Sequence, residues 1–223
     1  MKFVKQTNLL AEVLAEALEA ALKKHDRVIW LVSGGSNVPI SVETMRLLDA
    51  ALTAKLVILQ ADERFVAADS PDCNWYQLFK AGFESQQAKT YPILSGEFDD
   101  VNAAAAAYEK VVQKQFAEAD YIIAQLGIGG DGHTAGILPG GPAASAKELV
   151  TGYAGERFER VTLTFPALQL VDEAYAFAYG PAKLYALTRL KDNQLPLEVL
   201  PAGVLKGIAR AVVYNDQIEG EAK

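Results

Sequence analysis

Apolar positions along this chain fall into two rhythms. Between Asn8 and Lys24, Leu10, Leu14, Ala17, Leu18 and Ala21 recur at helical spacing and share one face. Asn8 is the expected N-cap, and Lys23, Lys24 and His25 suit the negative end of that helix. The next run, Val28-Ile29-Trp30-Leu31-Val32, is short, continuous and apolar, the pattern of a strand buried on both faces. It ends in Ser33-Gly34-Gly35-Ser36-Asn37, and a helix is expected from about Pro39 to Leu52.

The strand–loop–helix unit then recurs. Lys55 to Gln60 reads as a strand ending at Ala61-Asp62-Glu63-Arg64, followed by a polar loop and a helix from about Cys73 to Ala81. Thr90 to Leu94 is expected as a short strand. Asp100 to Ala119, with its alanine run from Ala103 to Ala107, is expected as a helix. Ala119 to Leu126 is a further buried strand, ending at Gly127-Ile128-Gly129-Gly130-Asp131-Gly132-His133. Leu138 to Ala146 reads as loop, and Glu159–Thr164, Ala174–Tyr179 and Ala209–Tyr214 read as strands. Strands alternating with helices predict the α/β class: an open, mostly parallel twisted sheet with helices on both faces, a Rossmann-like three-layer sandwich. No linker or fixed-period repeat divides the chain, so residues 1–223 are expected to form a single domain.

Composition narrows the function classes. The 223 residues carry 21 basic and 28 acidic side chains, a net charge of −7, which disfavours nucleic acid as a partner. The one cysteine, Cys73, excludes an internal disulfide and a cysteine-cluster zinc site. No signal-like N-terminus or membrane-spanning apolar run is present, so the expected setting is the cytoplasm, with no membrane partner.

In open α/β sheets ligands bind beyond the carboxyl ends of the strands, and polar residues concentrate at those ends here. Ser33-Gly34-Gly35-Ser36 joins a strand to a helix N-terminus, whose free N–H groups suit a phosphate. The other reading is an ordinary tight turn. Gly127 to Gly132 matches the dinucleotide fingerprint G-x-G-x-x-G, but Pro139 cuts short any following helix. The acid expected about 20 residues further on is absent too, with Thr151 and Gly152 in its place. A nicotinamide cofactor is therefore not expected. His133 sits in a glycine-rich loop with Asp131 two residues away, and histidine moves protons near neutrality. The alternative is a loop histidine capping the backbone. Asp62-Glu63-Arg64 puts two carboxylates and an anion-binding guanidinium at another strand end, or simply a local ion pair. Arg160 and Lys183 are candidate phosphate clamps that, taken singly, read as surface charges. No G-x-S-x-G elbow supports a serine hydrolase, His25 merely ends a helix, and Cys73 reads as structural.

Taken together, these loops resemble the 6-phosphogluconolactonase and glucosamine-6-phosphate deaminase superfamily. The likeness runs from about Val28 to Lys183. It rests on Ser33 to Pro39, on Asp62 to Val66 with Pro71 to Asn74, on Leu126 to Ala135, and on Arg160 to Thr164 with Leu168, Gly180 and Lys183. The lactonase branch is the more similar. Arg64 stands where deaminases usually have Tyr, and Leu138 where they carry a Glu before the loop-closing proline. Thr134-Ala135 is also lactonase-like. Departures are Asn37 for a usual Thr, Cys73 for Ser, Gly136 for Ser and Leu138 for Phe.

The resemblance implies hydrolysis of 6-phospho-D-glucono-1,5-lactone to 6-phosphogluconate, in the oxidative pentose phosphate pathway. His133 would be the general base, Asp131 its orienter, and Arg64 a donor to substrate hydroxyls or to the oxyanion. Gly34, Gly35, Ser36, Asp62, Arg160 and Lys183 would bind substrate. No metal or cofactor is implied, and the expected assembly is a monomer or small homo-oligomer. Two alternatives remain: a deaminase/isomerase using Asp62 as base, and a sugar-phosphate sensor without chemistry.

Overall fold

The computed structural model describes residues 1–222. Eight strands form the main sheet: β1 (Lys2–Lys5), β2 (Val28–Val32), β3 (Leu56–Gln60), β5 (Lys89–Tyr91), β6 (Tyr121–Gly127), β9 (Glu173–Ala178), β10 (Arg210–Asn215) and β11 (Gly220–Glu221). Their order is β11-β1-β10-β9-β6-β2-β3-β5, and every pair is parallel except β1 with β11. The expected mostly parallel sheet is thus present.

The apolar run of β2 is buried at all five positions, yet it still alternates. Val28, Trp30 and Val32 pack with Leu14, Leu18 and Leu22 of α1 (Leu10–Lys24) and Met45 of α2 (Val38–Leu47). Ile29 and Leu31 point the other way, toward Tyr108 and Val112 of α4 (Val101–Glu118). Because successive strand residues face opposite sides, one strand closes two apolar layers and helices cover both faces. Asp100 caps α4 by accepting from the Ala103 amide at 2.8 Å.

Several expected boundaries shift. Leu9, not Asn8, is the N-cap of α1; it sits at a left-handed φ of 55°, and the first turn closes when Val13 N–H donates to the Leu9 carbonyl. The helix expected to reach Leu52 stops at Leu47, because Leu48 is extended and Asp49 turns the chain, accepting from the Ala51 amide. The strand expected at Thr90–Leu94 is Lys89–Tyr91, since Pro92 has no N–H to continue the ladder.

The larger difference is a second sheet. Asp62–Arg64, expected as a loop, is strand β4, and Glu159–Leu163, expected among the alternating units, is β8. With β7 (Val150–Ala154) they form an antiparallel sheet in the order β4-β8-β7. Its register sets Asp62 opposite Thr162 and Arg64 opposite Arg160. Two shorter helices, α3 (Asn74–Lys80) and α5 (Phe165–Leu168), precede α6 (Leu184–Asp192). Among the described residues no helix is long and apolar enough to cross a membrane.

Candidate active site

The strand order locates the site. From β2 the chain moves outward through β3 and β5 on one side, then returns to β6 on the other side of β2 and proceeds through β9 and β10. The crevice between the loops after β2 and β6 is therefore the topological switch point, where open sheets bind ligands. A cleft of about 250 Å³ opens there.

The first wall is the loop after β2. Ser33 Oγ donates to the Gln125 carbonyl at 2.9 Å, tying the end of β2 to β6. Gly35 turns the chain at φ 61°, and one 3-10 turn, Gly35–Asn37, runs straight into α2. The Gly35 and Ser36 amides begin that turn, so no carbonyl precedes them to accept. They are available to an anion, and the aligned peptide dipoles favour one there. Gln125 fixes the turn from below: its Nε2 donates to the Asn37 carbonyl at 3.1 Å, and its Oε1 accepts from Ser41 at 2.8 Å.

The second wall is the loop after β6. Gly132 turns at φ 93°, its N–H donates to the Gly129 carbonyl, and the Gly129 N–H donates to the His133 carbonyl. His133 is thereby folded back over the loop. Asp131 Oδ1 accepts twice, from the His133 backbone at 3.0 Å and at Nδ1 at 2.7 Å. That carboxylate favours the proton on Nδ1, which leaves Nε2 as a base. Partial burial pushes the Asp131 carboxyl up, but the His133 amide, charge and imidazole contact together outweigh burial and hold it below its usual value. Ala135 follows at a left-handed φ of 48°, strained for a residue with a side chain. It is locked there because Gly136 N–H donates to Thr162 Oγ1 at 2.9 Å and Tyr153 OH donates to the Gly136 carbonyl at 2.5 Å.

The third wall comes from β4 and β8. Arg160 Nη1 lies 3.5 Å from Asp62 Oδ2. Burial raises the Asp62 carboxyl, and Arg160, Arg64 and His133 offset only part of that rise. Arg64 Nη1 donates to the Asp72 carbonyl at 2.8 Å, while its Nε is buried with no protein partner. Glu63, the second carboxylate of the motif, turns away from the cleft. It is fully buried and accepts from the Asn74 and Trp75 amides at 2.7 and 2.9 Å, holding the start of α3. Burial raises its carboxyl despite those donors. Cys73 also donates to Glu63, at 3.3 Å, and burial pushes its thiol up to about 11, which suits a structural residue.

Lys183 closes the fourth side from the turn before α6. Eight of the nine residues singled out from the sequence line this cleft; Asp131 stands behind His133. The lining holds three cations, Arg64, Arg160 and Lys183, against the single carboxylate of Asp62. A protein of net charge −7 thus keeps a cationic pocket. His25 lies elsewhere, stacked on Tyr121. Sequence reasoning gave no role to Asn37, Asn74 or Phe177, which also line the cleft.

Residues 5–213 match the model of the family described as glucosamine-6-phosphate isomerases/6-phosphogluconolactonase. The chain belongs to this family. Among its curated relatives, a Drosophila melanogaster protein named "Probable 6-phosphogluconolactonase" is 30% identical over 182 residues, spanning 78% of this chain and 73% of that one. The 6-phosphogluconolactonase of Mycobacterium tuberculosis is 27% identical over 210 residues, 86% of this chain and 84% of its own. A crystal structure of a 6-phosphogluconolactonase from Shewanella baltica superposes with a TM-score of 0.80 at 21% identity, covering 96% and 95% of the two chains. That likeness is one of fold. Leu138, the residue before Pro139, lies outside the cleft lining.

Proposed function

We propose that this protein hydrolyses 6-phospho-D-glucono-1,5-lactone to 6-phosphogluconate. The reading is carried by one observation: the 2.7 Å contact between His133 Nδ1 and Asp131, at a cleft that also holds free helix-start amides and three cations. The named relatives support the same substrate class.

The phosphate sits on the Gly35 and Ser36 amides beside Gly34, and Arg160 and Lys183 neutralise its charge. Anchored there, the lactone presents C1 to His133. Nε2 takes a proton from water as its oxygen bonds to C1, and the carbonyl electrons move onto the carbonyl oxygen. When the tetrahedral intermediate collapses, the bond from C1 to the ring oxygen breaks and the imidazolium returns the proton to that oxygen. Asp131 holds the imidazole in the required tautomer and stabilises its charged form. Arg64 offers its guanidinium to the substrate hydroxyls or to the developing oxyanion. Asp62 keeps Arg160 at the cleft wall. The ester is already activated, so this sequence of steps asks for no metal.

The test is a stopped-flow assay with lactone generated in situ by glucose-6-phosphate dehydrogenase, scored above spontaneous opening. The expected result is a large excess rate that His133→Ala reduces by about 10²–10⁴-fold, the usual worth of general-base catalysis. A wild-type rate in that variant removes His133 from the mechanism. No excess rate in the parent protein removes the lactonase. A deaminase reading draws on one observation, the buried Asp62 carboxyl in the same cleft. Ammonia release from glucosamine 6-phosphate decides it.

A further inference from the structure

Gly34 is not glycine for the sake of its backbone. Its φ of −85° and ψ of −162° are open to any residue. What excludes a side chain is Asn74: a Cβ on Gly34 would lie 2.0 Å from Asn74 Oδ1 and 2.2 Å from its Cγ. Asn74 is 3% exposed, and it lines the cleft from the start of α3. Its Nδ2 donates to the Asp62 carbonyl at 3.1 Å, which fixes which end of the amide is which. Its backbone N–H donates to the buried Glu63 at 2.7 Å. Its Oδ1 is buried and has no partner. A buried acceptor left without a donor costs stability, and such groups concentrate where function requires them.

We propose that Asn74 is a positioning residue for the anion loop. It wedges between β4 and the Gly34 backbone, so that the Glu63-anchored start of α3 sets where the Gly35 and Ser36 amides point. The side chain touches neither the reacting carbon nor the histidine; it acts through the loop. The inference rests on reading this loop as the phosphate site, and it links two stretches of sequence 40 positions apart that sequence analysis treated separately.

The test uses four full-length proteins: the parent, Asn74→Ala, Gly34→Ala and the double variant. Each is measured for lactone KM and kcat, for inhibition by inorganic phosphate, and for thermal stability. The expected result is a rise of about tenfold in both KM and the phosphate inhibition constant for either single variant, with a smaller fall in kcat. The pH dependence of kcat keeps its midpoint. The double variant is less impaired than the product of the two singles, because removing the amide relieves the 2.0 and 2.2 Å contacts and leaves only the Asn74 Cβ, 2.9 Å from the added methyl; contacting residues are expected to be non-additive in this way. Gly34→Ala is made at a half-buried position of the cleft loop, so it carries the test if Asn74→Ala fails to fold. A harmless Gly34→Ala, or a double variant whose defect is the product of the two singles, overturns the proposal while the lactonase reading stands. A parent protein that neither turns over lactone nor responds to phosphate overturns both.

Discussion

The His133 imidazole lies directly across Gly129: a Cβ on that glycine would come within 2.1 Å of Nδ1 and 2.4 Å of Asp131 Oδ1. The glycine therefore reserves the volume in which the His133–Asp131 pair forms. Gly129→Ala is expected to push the imidazole off its carboxylate without touching the anion loop. The predicted outcome is a loss of kcat of about 10²-fold, within the range of general-base catalysis, with a small change in KM. Steady-state kinetics check it. A variant with normal kcat would mean that the pair is not needed for turnover.

Asp131 itself has a pH signature. Its carboxyl is held below the ordinary value in the folded protein, chiefly by His133 against the opposing effect of partial burial. A depressed carboxyl contributes stability that is full above its unfolded pKa of about 3.9 and is lost as pH falls through the lower folded value. Asp131→Asn removes that contribution. The parent should exceed the variant in stability at neutral pH, and the gap should close under acid. Denaturant melts across that range measure it. At neutral pH the same variant should lose kcat, since the amide no longer selects the Nδ1-protonated tautomer.

Asp62 behaves in the opposite sense. Burial raises its carboxyl, so its ionisation costs folding free energy. Stability tied to this group is full below about 3.9 and is lost as pH rises through the folded value. Relative to Asp62→Asn, the parent should therefore lose stability as pH rises from acid toward neutral. Arg160→Ala, which strips away the guanidinium 3.5 Å from Asp62, should steepen that loss. It should also raise KM by about tenfold, the factor given by ~1.4 kcal/mol of lost anchoring. Melts of the three proteins against pH separate the two effects.

The strand ends were the most legible part of this chain. The run Val28–Val32, the glycines after it and the loop from Gly127 to His133 pointed to a cleft at the strand ends because parallel βα units leave little choice of where polar residues go. The antiparallel sheet was not legible. Asp62-Glu63-Arg64 carries no strand pattern: three charged residues form β4 only because β8 supplies a partner from nearly 100 positions downstream. Lacking that pairing, sequence reasoning could not see that Arg160 lies opposite Arg64, nor that Glu63 leaves the site to cap α3. Asn74 was visible as part of a similarity but not as a wedge, because its contact with Gly34 is created by tertiary packing alone.

Gly136 offers a prediction that depends on this chain's own packing. Exchanging glycine for serine would ordinarily be an innocuous change. Here a Cβ on Gly136 would lie 2.8 Å from Thr162 Cβ and 3.3 Å from Asp62 Cβ. Thr162 is fully buried and its Oγ1 already accepts from the Gly136 N–H, so it has no free direction in which to move. Gly136→Ser should therefore destabilise the protein by about 1–3 kcal/mol, the usual cost of overpacking, and lower activity by disturbing the strained turn at Ala135. Thr162→Ala removes the hydroxyl 3.0 Å from the added Cβ but keeps the Cβ at 2.8 Å, so it relieves the serine only in part; it also removes an acceptor, so alone it should destabilise as well. Combined, the two substitutions should cost less than their sum, since the Thr162 hydroxyl that crowds the serine is gone. Thermal melts of the two single variants and the double variant give the coupling directly. Strict additivity would show that the Thr162 hydroxyl is not what crowds residue 136.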